Sequence, residues 1–399
     1  MNRKLASIVV GLILSITVRA ATSPRIQILS ATVRDQTIAA ATVILQKNGQ
    51  QSSVTTTDAE GKALLSEPAA SDAEAIFLIV RRDGYSDLIA KCPCEDLTYA
   101  MSPVMKNLDG MRIVLNWGAT PKDLDGHLAF PGNHIWFVRQ KGDDANLDVD
   151  HLDGFGPETI TISRKHAGER YVYAVQDFTD GKVPGTTRLS ESDAKVFVYI
   201  GETLIRTYYV PRKTIGNVWI VFAVSAEDEF QDINVMSRVS IPTLTSASAE
   251  VVFGSQLAGS DRVGDPSLRA AGIPGNARQL KVEGESAYRV GHFAQAIRLF
   301  QSAIEVDGSY GQAHSNLGLA FQRVGRVAEA LWANRKAIAL ASGPHAATIR
   351  AGTHFNNGTL YEGAEQWNDA LREYLAAEVE KDDPIYRSAA ARMREHTRL

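Results

Sequence analysis

A repeat with a fixed period of 34 residues runs through the C-terminal part of this 399-residue chain. Gly284 and Ala296 recur as Gly318 and Ala330, and both steps are 34 residues (318 − 284 and 330 − 296). The apolar residues of this region follow a period of 3.6, which indicates amphipathic helices. A unit of this length cannot bury its apolar face alone, so the pattern predicts helical hairpins stacked into a solenoid.

A third copy of the repeat follows at a larger distance. It contains Gly358, Ala370 and Tyr374, and Ala370 lies 40 residues after Ala330 (370 − 330), which places an insertion of six residues (40 − 34) before it. The period and these residues resemble the tetratricopeptide repeat. The resemblance implies three repeats and a polar capping helix over residues 276–399.

The resemblance also implies a surface that binds proteins, because stacked helical hairpins form a groove suited to extended peptides. The predicted partner-binding residues are Arg278, Lys281, Tyr288, Arg289, Gln322, Arg323 and Phe355. Lys281 and Asn316 match the family's carboxylate clamp, whereas Glu285 stands where that clamp has an asparagine. The alternative is that these side chains belong to ordinary solvated helix faces.

The residues before the repeats form short β-branched or aromatic runs separated by turn residues, which predicts two β-rich domains. The first covers residues 25–106. Its Asp58 and Gly61 turn, together with Gly84 in a later turn, resembles the carboxypeptidase regulatory-like, transthyretin-like β-sandwich. The resemblance implies a spacer or adhesion-like unit rather than a catalyst.

The second β-rich domain covers residues 108–240 and carries strictly alternating acidic strands. Asp123, Asp125 and His127 share one strand face, and an Asp-x-Asp strand and a Gly-Pro-Glu turn follow. These three motifs, in this order, resemble the YfaP-like family of secreted bacterial β-domains. The resemblance implies a β-sandwich and does not imply an activity.

Carboxylates on two strands and a turn suggest a divalent cation site, because calcium prefers several hard oxygen ligands. The predicted ligands are Asp123, Asp125, Asp148, Asp150 and Glu158. The alternative is a sheet with solvated acids outward, which produces the same alternation. Zinc bound by His127 and His151 is a weaker hypothesis.

Aromatic residues near the acidic strands suggest a second kind of ligand. Trp136, Phe137 and Phe155 lie close to these strands in the sequence and could stack on a sugar, although aromatic residues in strands are more often part of a core. The alternative function to protein binding is therefore a cell-surface module that binds calcium or carbohydrate.

The first 20 residues have the order of a signal peptide. A positively charged segment at residues 2–4 precedes an apolar stretch at 5–18, and small residues follow before a cleavage site. The stretch is shorter than the roughly 20 residues of a membrane span. We therefore expect cleavage, export to the periplasm or cell surface, and no transmembrane segment afterwards; an uncleaved anchor is the alternative.

Two shorter features complete the organisation of the chain. Cys92 and Cys94 favour a disulfide in an oxidising compartment, with a free or reactive pair as the alternative. Residues 241–275 are rich in small and polar residues and predict a linker, in which residues 251–253 could add one more strand to the preceding domain.

Charge and motifs restrict the function classes. The net charge is −4, from 42 basic and 46 acidic residues, which argues against binding to nucleic acid or anionic membranes. No nucleophile elbow, metalloprotease motif or phosphate-binding loop occurs, so we predict no enzyme. The sequence therefore predicts two β-sandwich domains followed by an all-α tetratricopeptide-repeat solenoid, acting as an exported scaffold for a protein partner.

Overall fold

The computed structural model describes residues 25–47, 51–65, 76–166, 168–226, 230–258 and 275–397. The predicted signal peptide lies outside these residues. Strands occupy the first part of the described chain and helices the last part. None of the helices in the described ranges is long and apolar enough to cross a membrane.

The first domain is a sandwich of a three-stranded and a four-stranded sheet. Its strands are β1 Arg25–Ser30, β2 Thr42–Lys47, β3 Ser53–Thr56, β4 Lys62–Leu64, β5 Ile76–Arg81, β6 Leu88–Lys91 and β7 Leu97–Met101. The sheet orders are β4-β1-β7 and β3-β2-β5-β6. Alternate residues of both sheets, such as Ile28, Val43 and Leu78, point inward and form one core, as expected for stacked amphipathic sheets.

The middle domain is a larger antiparallel sandwich. Its strands are β8 Met111–Asn116, β9 Leu124–Phe130, β10 Asn133–Ile135, β11 Lys141–Gly142, β12 Ala145–Val149, β13 Glu158–Ile162, β14 Tyr171–Asp177, β15 Lys195–Ile200, β16 Thr203–Tyr209, β17 Val218–Val224 and β18 Phe230–Ser237. They form a six-stranded sheet, β11-β12-β13-β8-β15-β16, and a five-stranded sheet, β10-β9-β14-β17-β18. Ile113, Val175 and Trp219 are among the residues that pack between the two sheets.

The central strands β8 and β15 of the six-stranded sheet are buried on both faces. Ile113 and Leu115 of β8 point into the middle domain's own core. Val114 of β8, together with Phe197 and Tyr199 of β15, belongs instead to the core of the first sandwich. The two β-domains therefore stack against each other, and all six residues of β8 are buried because neither side of the strand faces water.

The predicted linker contains a helix, α1 Ser246–Ala258, and residues 251–253 are helical rather than a strand. Ala249 and Phe253 lie one helical turn apart, and both are buried against the outer face of the five-stranded sheet. The Thr245 hydroxyl accepts a hydrogen bond from the Ser248 backbone N–H at 3.4 Å and caps the helix. This single stripe of buried residues holds α1 against the sheet. Residues 259–274 of the predicted linker lie outside the described ranges.

The remaining helices form three hairpins and a final capping helix. They are α2 Gly275–Arg289, α3 Phe293–Val306, α4 Gly311–Arg323, α5 Val327–Leu340, α6 Ala346–Gly363, α7 Trp367–Glu380 and α8 Pro384–His396. The repeated alanines Ala296, Ala303, Ala330, Ala337, Ala370 and Ala377 all have 0% exposure. This arrangement confirms the predicted fold class of two β-sandwiches followed by an all-α, tetratricopeptide-like solenoid.

Repeated glycines allow the two helices of a hairpin to approach each other. A Cβ atom on Gly284 would lie 2.5 Å from the ring of Phe300, which is too close for any real contact. The insertion before the third repeat lies in the connection between α5 and α6 and in the start of α6, which has 18 residues against 13 in α4.

The solenoid docks against the middle domain through the connection between β7 and β8. Asp109 in this connection accepts hydrogen bonds from Arg335 at 2.7 Å and from the Tyr361 hydroxyl at 2.5 Å. Leu108 is buried among apolar residues of the repeats, and its backbone N–H donates to Gln366 at 2.8 Å. No sequence pattern indicates this interface, which joins the repeats to the β-domains through residues outside the predicted linker.

Candidate functional site

The first helices of the first two hairpins, α2 and α4, form an open groove whose lining does not include Arg335 or Tyr361, the residues that bind Asp109. Glu285, Tyr288 and Arg289 of α2 and Asn316 and Leu319 of α4 line a cavity of about 350 Å³, which we call the first-helix groove. The positions on each helix are separated by three or four residues, so they share one face. Phe300 of α3 also lines the groove.

Glu285 occupies the donors that could otherwise hold a carboxylate. Its Oε1 accepts hydrogen bonds from Lys281 Nζ at 3.0 Å and from Asn316 Nδ2 at 2.9 Å. The ion pair is partly shielded, with Lys281 11% and Glu285 35% exposed. A ligand carboxylate at this point would meet the Glu285 charge, so the groove lacks a functional carboxylate clamp.

Exposed arginines give the groove a basic rim. Arg323 donates to the Tyr288 hydroxyl at 3.0 Å, and the Arg289 Nε donates to the backbone carbonyl of Glu285 at 3.4 Å. Arg278 is exposed one turn before Lys281 on the same face of α2. Because Glu285 offsets only Lys281, the face as a whole carries excess positive charge.

The other predicted partner-binding residues have different surroundings. Gln322 donates to Thr359 of α6 at 3.0 Å and so bridges neighbouring hairpins. Phe355 is partly buried between the rings of Tyr374 and Tyr386, with centroids 5.4 Å from each. The Phe355 ring therefore packs between helices, and it is not among the residues that line the first-helix groove.

Three of the five predicted cation ligands converge in the middle domain. Asp125, Asp150 and Glu158 each offer an oxygen, and these oxygens lie within 4.8 Å of one another. We call these three residues the acidic cluster. Asp125 and Glu158 are each 1% exposed, and Asp150 is partly buried. Asp125 comes from β9, whereas the other two flank the connection between β12 and β13.

Some oxygens of the acidic cluster have no hydrogen-bond partner. Glu158 Oε1 accepts from the Gly126 backbone N–H at 2.6 Å. The buried Glu158 Oε2, Asp125 Oδ2 and Asp150 Oδ1 have none in the described part of the chain. Buried polar atoms are usually paired, so these oxygens indicate a missing partner.

Burial makes the acidic cluster electrostatically unfavourable. Desolvation, followed by the charges of Asp123 and Asp150, raises the pKa of Asp125 to about 8. Desolvation and then the Asp125 charge raise the pKa of Glu158 well above its usual value, although the Gly126 N–H opposes the shift. Like charges close together out of water disfavour ionisation, so protons or a cation must offset them.

Asp123 and Asp148, the other two predicted ligands, are not among the three converging side chains. Asp123 lies nearby, and burial raises its pKa to about 6, with further increases from Asp150 and Asp153. Asp148 instead accepts a hydrogen bond from Thr161 at 2.5 Å. The structure does not bring Asp148 to the other three carboxylates, because a register shift between Leu147 and Val149 interrupts the strict alternation of β12.

The predicted zinc histidines do not join the acidic cluster. His127 Nδ1 lies 2.9 Å from His134 Nε2, and both rings stack with Trp136. His151 Nε2 lies 3.9 Å from an oxygen of Asp35 in the first domain. Trp136 is only 6% exposed, so its ring is packed in the domain rather than presented to a sugar.

The pair of buried histidines predicts acid sensitivity. Burial, followed by the charge of Arg139, lowers the pKa of His134 from 6.5 to about 4. The unfolded chain therefore binds more protons between these pH values, so stability is present above pH 6.5 and is lost as the pH falls towards 4. We expect wild type to lose up to about 3 kcal/mol relative to His134→Gln in urea unfolding between pH 7 and pH 4.

The exposed His345 provides the matched control for this measurement. His345→Gln should follow the wild-type pH profile throughout. A constant stability difference between wild type and His134→Gln across the same pH range would contradict the assignment of acid sensitivity to this pair.

Cys92 and Cys94 form a disulfide, with sulfur atoms 2.18 Å apart and Cα atoms 4.5 Å apart. Cys94 is buried in the core of the first sandwich. Lys195 of the middle domain is 3% exposed, and its Nζ lies 3.5 Å from the carbonyl oxygen of Pro93. The disulfide therefore lies at the junction of the two β-domains.

No model of a known protein family matches this chain, and no curated protein matches it. Among solved structures, similarity is found to TPR domains. The Arabidopsis OM64 TPR domain is 20% identical and covers 30% of this chain and 96% of its own, with a TM-score of 0.28.

Two further solved structures resemble the chain to a similar degree. The first TPR of Spaghetti (RPAP3), bound to an HSP90 peptide, is 15% identical and covers 31% of this chain and 94% of its own, with a TM-score of 0.29. The N-terminal domain of stress-induced protein-1 from C. elegans is 19% identical and covers 31% of this chain and 98% of its own, with a TM-score of 0.29.

Proposed function

We propose that this protein is an exported, non-enzymatic adaptor that holds an extended acidic segment of another protein in the first-helix groove. The observation that carries the proposal is the placement of the groove. The side of the solenoid that carries Arg335 is attached to the middle domain, whereas Arg289 and Arg323 remain exposed on the first helices. The β-domains then present the groove to a partner instead of covering it.

The positive charges of the groove favour an acidic peptide segment as its ligand. Arg278, Arg289 and Arg323 lie exposed on the first-helix face, and only Lys281 is neutralised by Glu285. Acidic side chains within a segment would complement these arginines, which form strong charge-assisted hydrogen bonds with carboxylates. A terminal carboxylate is disfavoured because Glu285 already uses Lys281 and Asn316.

The groove also offers apolar contact beside these charges. Leu319 and the rings of Tyr288 and Phe300 line the same cavity. An extended segment that alternates acidic and apolar residues would place one set on the arginines and the other on these side chains. Export is supported by the residue order of the first 20 positions, and the disulfide fits an oxidising compartment.

Peptide binding to the full chain tests the proposal. The probe is a fluorescein-labelled decapeptide of alternating Glu and Leu, prepared with a free C-terminal carboxylate and as an amide. We expect both forms to bind equally, and a Lys-Leu peptide to bind at least about tenfold more weakly, a difference of about 1.4 kcal/mol. Affinity measured by anisotropy should fall with added salt, because the arginines are exposed.

Variants of the groove give the sharper part of the test. Arg289→Glu with Arg323→Glu should weaken binding at least about tenfold. Arg394→Glu reverses an exposed charge on α8 and should leave binding unchanged. Glu285→Asn should create a preference for the free carboxylate over the amide, because Lys281 and Asn316 are then released. Equal binding of acidic and basic peptides, or equal losses in the Arg289/Arg323 and Arg394 variants, would contradict the proposal.

A further inference from the structure

We propose that Asp125, Asp150 and Glu158 form a binding site for one calcium-sized divalent cation in the middle domain. This site is independent of the first-helix groove and of the function proposed for it. It also differs from the five-residue set expected from the sequence, because Asp148 is excluded and Asp123 lies at its margin.

The case rests on burial combined with missing partners. Surface acids need no cation, but Asp125 and Glu158 are each 99% buried, and each has an oxygen without a hydrogen-bond partner. No lysine or arginine of the described part forms an ion pair with either carboxylate. Leaving such oxygens unpaired is costly, and a bound cation would satisfy them together.

The chemistry of the oxygens fits calcium better than magnesium. Calcium accepts six to eight oxygen ligands in a flexible geometry, whereas magnesium demands near-ideal octahedral geometry and keeps several of its waters. The cluster offers three carboxylates whose oxygens all lie within 4.8 Å of one another, and a flexible calcium shell can accommodate them without an octahedral arrangement.

The local backbone holds Glu158 in place for this role. Gly126 donates its N–H to Glu158 Oε1, and a Cβ at Gly126 would lie 2.9 Å from that oxygen and 2.7 Å from the Tyr173 hydroxyl. A glycine at this position therefore allows β9 to approach the carboxylate. Glu158 keeps its second oxygen directed away from this hydrogen bond and without a partner.

The site lies close to the first domain as well. Asp150 is followed in the chain by His151. The His151 Nε2 atom lies 3.9 Å from an oxygen of Asp35, which belongs to the first sandwich. A cation bound here would sit at the edge where the two β-domains meet.

The test uses the full chain after extensive treatment with chelator. Calcium added in millimolar excess should raise the melting temperature by several degrees, because a ligand far above its Kd stabilises the folded state. Magnesium at the same concentration should raise it less. Equilibrium dialysis with calcium, followed by elemental analysis, should give one ion per chain.

Neutral variants of similar shape assign the effect to these residues. Asp125→Asn with Glu158→Gln should abolish both the temperature shift and the bound calcium. Asp150→Asn alone should weaken calcium binding at least about tenfold. Because Asp150 is only partly buried, this single variant provides the test if the double variant does not fold. Asp148→Asn, in the adjacent strand but outside the acidic cluster, is the matched control and should retain the full response.

Two results would overturn the proposal. One is the absence of both a melting shift and bound calcium at millimolar concentration in the folded wild-type chain. The other is a loss of calcium binding in Asp148→Asn equal to the loss in Asp150→Asn, which would place any ion elsewhere.

Discussion

Replacing Ala330 with glutamate is expected to unfold the helical repeats while leaving both β-sandwiches folded. Ala330 has 0% exposure and lies where α4 and α5 cross, since a Cβ on Gly318 would be only 3.2 Å from the Ala330 carbonyl oxygen. A carboxylate at this position has neither space nor a partner. The cost is on the order of several kcal/mol, enough to unfold a small array.

Circular dichroism separates the two parts of the molecule in this experiment. The helical signal should fall strongly, whereas the near-ultraviolet signal of buried aromatic residues such as Trp117 and Trp219 should persist, because the two sandwich cores contain no repeat residues. Ala339→Glu introduces the same charge at an exposed site of α5 and should have little effect. Retained helix in Ala330→Glu, or its loss in Ala339→Glu, would show that the crossing is not tightly packed.

Replacing Asp109 with alanine is expected to release the repeats from the middle domain. Asp109 and Arg335 are 11% and 22% exposed at their side chains, and Tyr361 donates to the same oxygen. Removing Asp109 takes its carboxylate away from both Arg335 and Tyr361, and breaking a buried ion pair typically costs about 3–5 kcal/mol. The cost falls on the interface rather than on either core.

Calorimetry and small-angle scattering measure this release. Thermal unfolding of the variant should separate into two transitions, and the radius of gyration should increase because the repeats then move on their own. Asp87→Ala breaks an exposed ion pair with Arg81, with side chains 48% and 56% exposed, and should cost less than about 1 kcal/mol. A single transition and an unchanged radius in Asp109→Ala would mean that the other contacts alone fix the interface.

Local periodicity explains what could be predicted of the fold. Buried alanines such as Ala296 and Ala330 recur at a constant period because each hairpin repeats the same crossing. Helix α1 escaped prediction because its buried stripe is carried by few residues, including Ala249 and Phe253, among many small ones. The contact of Asp109 with Tyr361 joins residues 252 positions apart and follows no period, so no local pattern indicates it.

The candidate site was predictable to the extent that its strands are regular. Alternation placed Asp125, and the Gly-Pro-Glu turn placed Glu158, among the predicted ligands, and the fold brings these two side chains together. Asp148 lies apart from them, because a register shift after Leu147 cannot be read from alternating residues. His134 was overlooked as a partner of His127 because the two belong to neighbouring strands, and their pairing depends on register.

The burial of strands β8 and β15 on both faces has a consequence for the order in which the chain can fold. The first sandwich is synthesised early, yet its core includes Phe197 and Tyr199 of β15, far along the sequence. Contacts of such high sequence separation form slowly. A nascent chain that ends before β15 therefore exposes apolar residues of the first sandwich, and it should depend on chaperones until about half of the protein has been made.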